Sequence, residues 1–290
     1  MTAALTRELF GRRFQNPLLL AAGTAGFGRE LDQVIDLNRL GGLITKAVSL
    51  APREGNAAPR VAEFRGGMLN SIGLANPGVE RVRSEALPWL ARHLAQAQVI
   101  VNVVGFTVEE YGEVLRRLDG APGIAAFELN LSCPNTSAGG IEFGADAGCV
   151  RRIVSTCRSS TRLPLVAKLS PVLPDIAGLA LVARDAGADA ISAVNTMPGL
   201  LYSFEGSPRL GHGSGGVSGP PLLPIGVLAV SRVLERTGGM PVIGVGGVRS
   251  ANDVRQYLRA GASLVAMGTG ALADPRLPER IIRDLESGGG

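Results

Sequence analysis

The sequence predicts an α/β protein built as a single (β/α)8 TIM barrel. Three observations carry that prediction. Eight short apolar runs recur along the 290 residues, each near-continuously apolar, as strands buried on both faces of a parallel sheet are. Stretches with helical periodicity lie between them, and eight such alternations fill the length of one barrel. No G-x-G-x-x-G opens a helix after the first run, which weakens the rival, an open doubly wound sheet.

In chain order, strands are expected at 17–23 (PLLLAAG), 42–49 (GLITKAVS), 99–105 (VIVNVVG), 125–132 (AAFELNLS), 165–171 (LVAKLSP), 190–196 (AISAVNT), 241–247 (PVIGVGG) and 264–269 (LVAMGT). Helices are expected near 79–95, 107–119, 175–186, 222–236 and 250–259. The last has Ser250 and Asn252 where it should start and Gly261 where it should stop. The stretch before the 79–95 helix, and the segment 197–221 after the sixth run, read as long loops. Loops of that length in a compact domain are usually functional. No linker divides the chain, so residues 1–290 are expected to form one domain, frayed at about 287–290.

Composition excludes several classes. The net charge is +4, basic and acidic residues are interleaved, and aromatics are 4%; nucleic-acid binding has little support. Cys133, Cys149 and Cys157 form an odd set without CxxC spacing. This argues for a reducing compartment and against a disulfide frame or a metal site. The N-terminus has no signal-peptide core, and no apolar stretch reaches the roughly 18 residues of a membrane helix. A cytoplasmic protein is expected.

Only two lysines, Lys46 and Lys168, occur among 29 basic residues of the Lys and Arg types. Both sit inside apolar runs, where a charge is costly unless it is paired or functional. Arginine, a planar fork, cannot replace a compact ammonium. Other polar groups gather at expected strand ends: Asn102, then Asn130 with Ser132, Cys133 and Asn135, then Asn195 and Thr196. Three asparagines in strands, where they are disfavoured, offer donors and acceptors to a planar, amide-rich ligand. Gly246-Gly247 and Gly268-Thr269, ending the last two strands, suit a phosphate held on backbone N–H groups; tight-turn geometry alone is the alternative. Phosphate, amides and two ammonium groups together fit a flavin mononucleotide. A base is also required. His93 falls on an outer helix and His212 in the glycine-rich loop, whereas Cys133 directly follows the fourth strand, and a thiolate is a competent base. Cys149 and Cys157, on an expected helix, read as inert core residues.

At this point the residues resemble a known family, the FMN-containing class 1 dihydroorotate dehydrogenases. The resemblance rests on NLSCPN (130–135), GGMLNSIGLANPG (66–78), KLSP (168–171), VNT (194–196), GGVSGP (215–220), VGGV (245–248) and MGTGAL (267–272), in family order over residues 10–285. Cysteine rather than serine at 133 points to class 1, and KAVSLAPREGNAAPRVAE (46–63) is most similar to the NAD-linked subclass 1B. The resemblance implies oxidation of dihydroorotate to orotate in pyrimidine (UMP) biosynthesis, with Cys133 taking the C5 proton and FMN the C6 hydride. It implies a substrate site of Lys46, Asn70, Ile72, Gly73, Leu74, Asn130, Asn135, Asn195 and Thr196. It implies an FMN site of Ala22, Lys46, Ala47, Asn102, Asn130, Lys168, Val194, Gly219, Gly246, Gly247, Gly268 and Thr269. Ala22 departs from the serine common in relatives, and the loop at 197–214 matches poorly, so no binding residue is assigned there. A homodimer is implied, with a second subunit carrying FAD and a 2Fe–2S cluster that passes electrons to NAD. The chain has too few cysteines for such a cluster itself. The alternatives are a fumarate-linked 1A-type homodimer, a related barrel acting on another dihydropyrimidine, and a silent barrel that binds a phosphorylated ligand.

Overall fold

The computed structural model describes residues 5–131, 134–135 and 141–288. Eight strands form the barrel: β1 (Leu18–Leu20), β2 (Gly42–Ile44), β3 (Gln98–Val103), β4 (Ile124–Asn130), β5 (Leu165–Leu169), β6 (Ala190–Ala193), β7 (Val242–Val245) and β8 (Leu264–Met267). Each pairs in parallel with its neighbour in sequence, and β8 closes on β1. All eight expected runs are therefore strands. Their expected C-terminal ends overran the ladder by two to five residues: β2 stops at Ile44 and β6 at Ala193. Apolar character continues past the point where the backbone leaves the sheet for the loops at the mouth.

The barrel is a filled core. Leu19, Ile44, Ile100, Ala126, Val166, Ala190, Ile243 and Leu264 point inward, each fully buried. Phe14 closes the bottom from the N-terminal hairpin Arg7–Leu9/Arg12–Phe14. A larger apolar shell joins the outward strand faces to the helices.

Helices occupy the expected gaps. Val108–Leu118 begins at Thr107, whose hydroxyl accepts from Glu110 N–H. Ile176–Asp185 begins at Asp175 and Ala251–Arg259 at Ser250, both with side-chain caps; this settles the choice between Ser250 and Asn252 as the cap. Leu222–Thr237 and Ala147–Ser160 complete the ring near the site. The helix expected at 79–95 is a continuous run from Gly78 to His93 with a π-turn at Val82–Ala86. No helix among the described residues is long and apolar enough to cross a membrane.

One expectation needs correction. Both long loops contain strands. Val61–Phe64, Gly67–Asn70, Gly215–Ser218 and Met197–Gly199 form a four-stranded antiparallel sheet outside the barrel. The strands are three or four residues long, too short for periodicity to reveal, but Arg65-Gly66 between two apolar runs is a hairpin signal. This sheet walls one side of the barrel mouth.

Candidate active site at the barrel mouth

A cavity of about 730 Å³ opens where the strands end. It is lined by Ala22, Lys46, Ala47, Asn70, Ile72, Gly73, Leu74, Asn102, Asn130, Lys168, Asn195 and Thr196. These twelve residues come from β3, β4, β5, the segments after β1, β2 and β6, the outer-sheet strand Gly67–Asn70 and the turn that follows it. Strand geometry explains the convergence. Ile100, Ala126 and Val166 point inward, so two residues on, Asn102, Glu128 and Lys168 do too.

The remaining assigned residues lie beside or outside this cavity. Gly246-Gly247 and Gly268-Thr269, just past the ends of β7 and β8, lie beside this cavity, and Gly219, which follows the outer-sheet strand Gly215–Ser218, packs near Thr269. Thr269 Oγ1 donates to Ser218 Oγ at 2.8 Å. A Cβ on Gly247 would lie 2.5 Å from the Leu223 backbone nitrogen, so this turn abuts the start of helix Leu222–Thr237 and leaves room for no side chain. Val194 is different: its side chain packs outward in the shell behind the barrel, and only its backbone faces β7. Cys133 lies outside the described residues. Asn135 pairs its backbone with Ile141, and its side chain likewise lies outside what is described.

The polar side chains are held in place. Asn70 Nδ2 donates to the Gly216 carbonyl at 3.0 Å, and Asn195 Oδ1 accepts from Thr196 N–H at 2.9 Å. The Tyr111 hydroxyl, from helix Val108–Leu118, donates to the Asn130 carbonyl at 2.6 Å. The Tyr257 hydroxyl donates to the Gly246 carbonyl at 2.8 Å, and burial pushes its pKa up, so it remains a donor.

Charge in the cavity has one sign. Lys46, Lys168 and Arg53 line it, and no carboxylate does among the described residues. Beneath it, Glu128 is fully buried with Oε1 3.7 Å from Lys168 Nζ, and the same oxygen accepts from Asn102 Nδ2 at 2.6 Å. Such a mouth suits an anionic, hydrogen-bonding ligand.

Sequence reasoning assigned no site role to ten lining residues, among them Arg53, Asn56, Ser71, Phe106 and His212, nor to Glu128 below them. Arg53 stacks its guanidinium 4.3 Å above the Phe106 ring. The signal was present only for Glu128, a carboxylate in an apolar run two residues before Asn130. His93 stacks on Trp89 on the outer surface, away from the mouth. Cys149 and Cys157 sit buried on helix Ala147–Ser160. Burial, then Asp146, raises the Cys149 thiol, and burial pushes Cys157 up to about 12. A depression of about 760 Å³ at the opposite end is lined by Arg12, Asp119, Arg158 and Arg162 among others. Its Arg158 is engaged by Asp189 and two carbonyls, and barrels place their chemistry at the other end.

The chain is similar in sequence to known proteins over nearly its whole length. The family described as dihydroorotate dehydrogenase matches residues 4–288. A Pelobacter propionicus protein is 42% identical over 99% of this chain and 93% of its own. One from Desulforudis audaxviator is 46% identical over 95% and 89%, and one from Anoxybacillus flavithermus 43% over 97% and 89%. All three are named dihydroorotate dehydrogenase B (NAD(+)), catalytic subunit.

Proposed function

Since the chain belongs to the dihydroorotate dehydrogenase family, we propose that it oxidises dihydroorotate to orotate in pyrimidine biosynthesis, as the NAD-linked catalytic subunit. The observation that carries this reading is the cavity itself. Two lysines and five asparagines line a mouth with no lining carboxylate among the described residues, which fits an anionic, amide-like substrate. The whole chain, 1–290, acts as one catalytic unit in the cytoplasm.

The residues also fit FMN. Asn102 lines the cavity, and its buried Oδ1 has no partner among the described residues; a ring N–H would satisfy it. A Cβ added to Gly23, another lining residue, would meet no protein atom within 4 Å, so glycine leaves that volume to a ligand. In this reading Ala22, Lys46, Ala47, Asn102, Asn130 and Lys168 surround the ring system. The backbone of Val194 and the turns at Gly219, Gly246-Gly247 and Gly268-Thr269 hold the ribityl phosphate. When bound, FMN supplies the acceptor for the hydride leaving C6 of dihydroorotate.

The chain's own residues do the rest. Lys46, Asn70, Asn130, Asn135, Asn195 and Thr196 bind the substrate's carboxylate, carbonyls and N–H groups, and the backbone at Ile72, Gly73 and Leu74 closes over it. Cys133 Sγ takes the proton from C5 as the C6–H bond breaks, leaving the C5–C6 double bond of orotate. Lys168 places positive charge where reduction builds negative charge. The relatives' name, catalytic subunit, supports a second subunit. In our reading it carries FAD and a 2Fe–2S cluster and hands electrons to NAD, with the catalytic chain itself a homodimer.

The test is an acceptor panel. The purified chain loaded with FMN should oxidise dihydroorotate with an artificial dye but not with NAD. Co-expression with the electron-transfer subunit should confer NAD reduction. Brisk fumarate reduction by the chain alone would move it to the 1A-type reading, and failure with every acceptor would refute the activity.

A further inference from the structure

Three buried side-chain polar atoms have no hydrogen-bond partner among the described residues: Asn102 Oδ1, Glu128 Oε2 and Ser192 Oγ. They do not scatter. Inward-pointing Ile100, Ala126, Val166 and Ala190 lie two residues before Asn102, Glu128, Lys168 and Ser192, so the latter four also point inward, on the adjacent strands β3, β4, β5 and β6. The register sets Glu128 beside Asn102 and Ser192 beside Lys168, and this inward-facing group holds an ammonium, a carboxylate and all three unpartnered acceptors.

Such a group is not a stability device. Burying an ion pair returns little over well-packed apolar residues, and each unpartnered acceptor carries a desolvation cost. Of this group, Asn102 and Lys168 line the cavity; Glu128 does not. Glu128 can therefore reach a ligand only through those two. Its carboxylate accepts and cannot donate. The Asn102 amide must then turn Nδ2 toward it, and does so at 2.6 Å, which leaves Oδ1 as the acceptor open to a ligand. The same oxygen, Oε1, stands 3.7 Å from Lys168 Nζ, with both side chains almost wholly buried.

We propose that Glu128 is a positioning residue for the cofactor. It fixes the Asn102 amide with its acceptor toward a ring N–H, and it offsets part of the Lys168 charge that stabilises the reduced ring. The inference rests on the reading of the cavity as an FMN site.

The test uses FMN-loaded full-length protein and three variants: Glu128→Gln, Lys168→Met and the double variant. The readouts are FMN affinity by fluorescence quenching and the two-electron reduction potential by spectroelectrochemistry. Glu128→Gln removes the offsetting charge at constant shape. It should favour the reduced form at least tenfold, about 30 mV more positive for a two-electron couple. Lys168→Met should shift the potential the other way. Asn102 should lose its fixed orientation in Glu128→Gln, and FMN should bind several-fold more weakly. A residue that merely supports the fold would lower the melting temperature and leave the potential in place, and that result overturns the proposal. Should Glu128→Gln not fold, the double variant, which removes both charges, is compared with Lys168→Met. A potential more positive than that of Lys168→Met supports the proposal, and equal potentials refute it. A parent chain that binds no FMN refutes the cofactor reading and this inference with it. Normal FMN binding with an unmoved potential in Glu128→Gln refutes this inference alone.

Discussion

Two glycines allow the position of the cofactor to be tested against a matched control. Gly23 (φ +82°) and Gly66 (φ +93°) both occupy the left-handed region, and an added Cβ at either would meet no protein atom within 4 Å. Their surroundings differ. Gly23 lines the cavity, whereas Gly66 sits in the exposed turn of the hairpin Val61–Phe64/Gly67–Asn70. Alanine at either position should cost about 1–2 kcal/mol of backbone strain. At about 2.1 cal/mol/K per residue, the unfolding entropy of 290 residues is about 0.6 kcal/mol/K, so each variant should melt about 2–3 °C below the parent. Only Gly23→Ala places its methyl in the volume assigned to FMN. A ligand atom closer than ordinary carbon contact, about 3.5–4.0 Å, must move. FMN affinity should fall at least tenfold, about 1.4 kcal/mol, in Gly23→Ala and not in Gly66→Ala. Calorimetry on the flavin-free proteins and a fluorescence titration with FMN separate the two effects. Equal FMN affinity in parent, Gly23→Ala and Gly66→Ala would refute the placement of the ring beside Gly23.

Other expectations follow from the same assignments. Cys133→Ala should retain FMN and slow its reduction by dihydroorotate by roughly 10²–10⁴-fold, the range for loss of a general base. In the parent that stopped-flow rate should rise as pH approaches the ordinary thiol value near 8.5, and a flat profile would remove Cys133 from the role. Mass spectrometry after iodoacetamide treatment at pH 8 should find Cys133 modified and protected by orotate. Cys157, its thiol pushed up to about 12 by burial, should stay unmodified until the protein unfolds. Asp146 caps helix Ala147–Ser160 by accepting from Cys149 N–H, and that bond holds its carboxyl below the usual range. A depressed native pKa contributes stability above the unfolded value, and that contribution is lost as pH falls through the native one. Asp146→Ala should therefore cost about 1 kcal/mol near pH 7 and converge with the parent in strong acid, as measured by urea unfolding at a series of pH values.

The barrel was legible because its signal is redundant. Continuous apolar runs marked all eight strands, and Ser250 marked a helix start that its side-chain cap bears out. What failed was local. Strand ends were drawn too long because burial continues beyond the ladder. The outer sheet was missed because strands such as Met197–Gly199 are too short to show alternation. Arg53, Asn56 and His212 reach the cavity from loops, and no periodicity says where a loop will fold back. Val194 shows the converse limit: a motif residue next to Asn195 whose side chain packs behind the barrel.

Lysine scarcity pointed correctly to the mouth, yet it treated Lys46 and Lys168 as equivalent, and the barrel does not. Lys168 has a buried carboxylate partner, whereas Lys46 is half-buried and has none among the described residues. The pairing partner was hidden because Glu128 sits in AAFELNLS, where the apolar run dominates the reading. Period-2 alternation from Ala126 through Glu128 to Asn130 nevertheless puts it on the face of the strand-end asparagine. The consequence reaches the folding argument. Removing Lys168 alone leaves Glu128 as an uncompensated buried charge, a loss of about 3–5 kcal/mol in comparable cases. A Lys168 variant that fails to fold therefore says nothing about flavin chemistry until Glu128 is neutralised beside it. What the barrel shows is the pairing: without the Lys168 ammonium, the buried Glu128 carboxylate would be left stranded beneath the cavity.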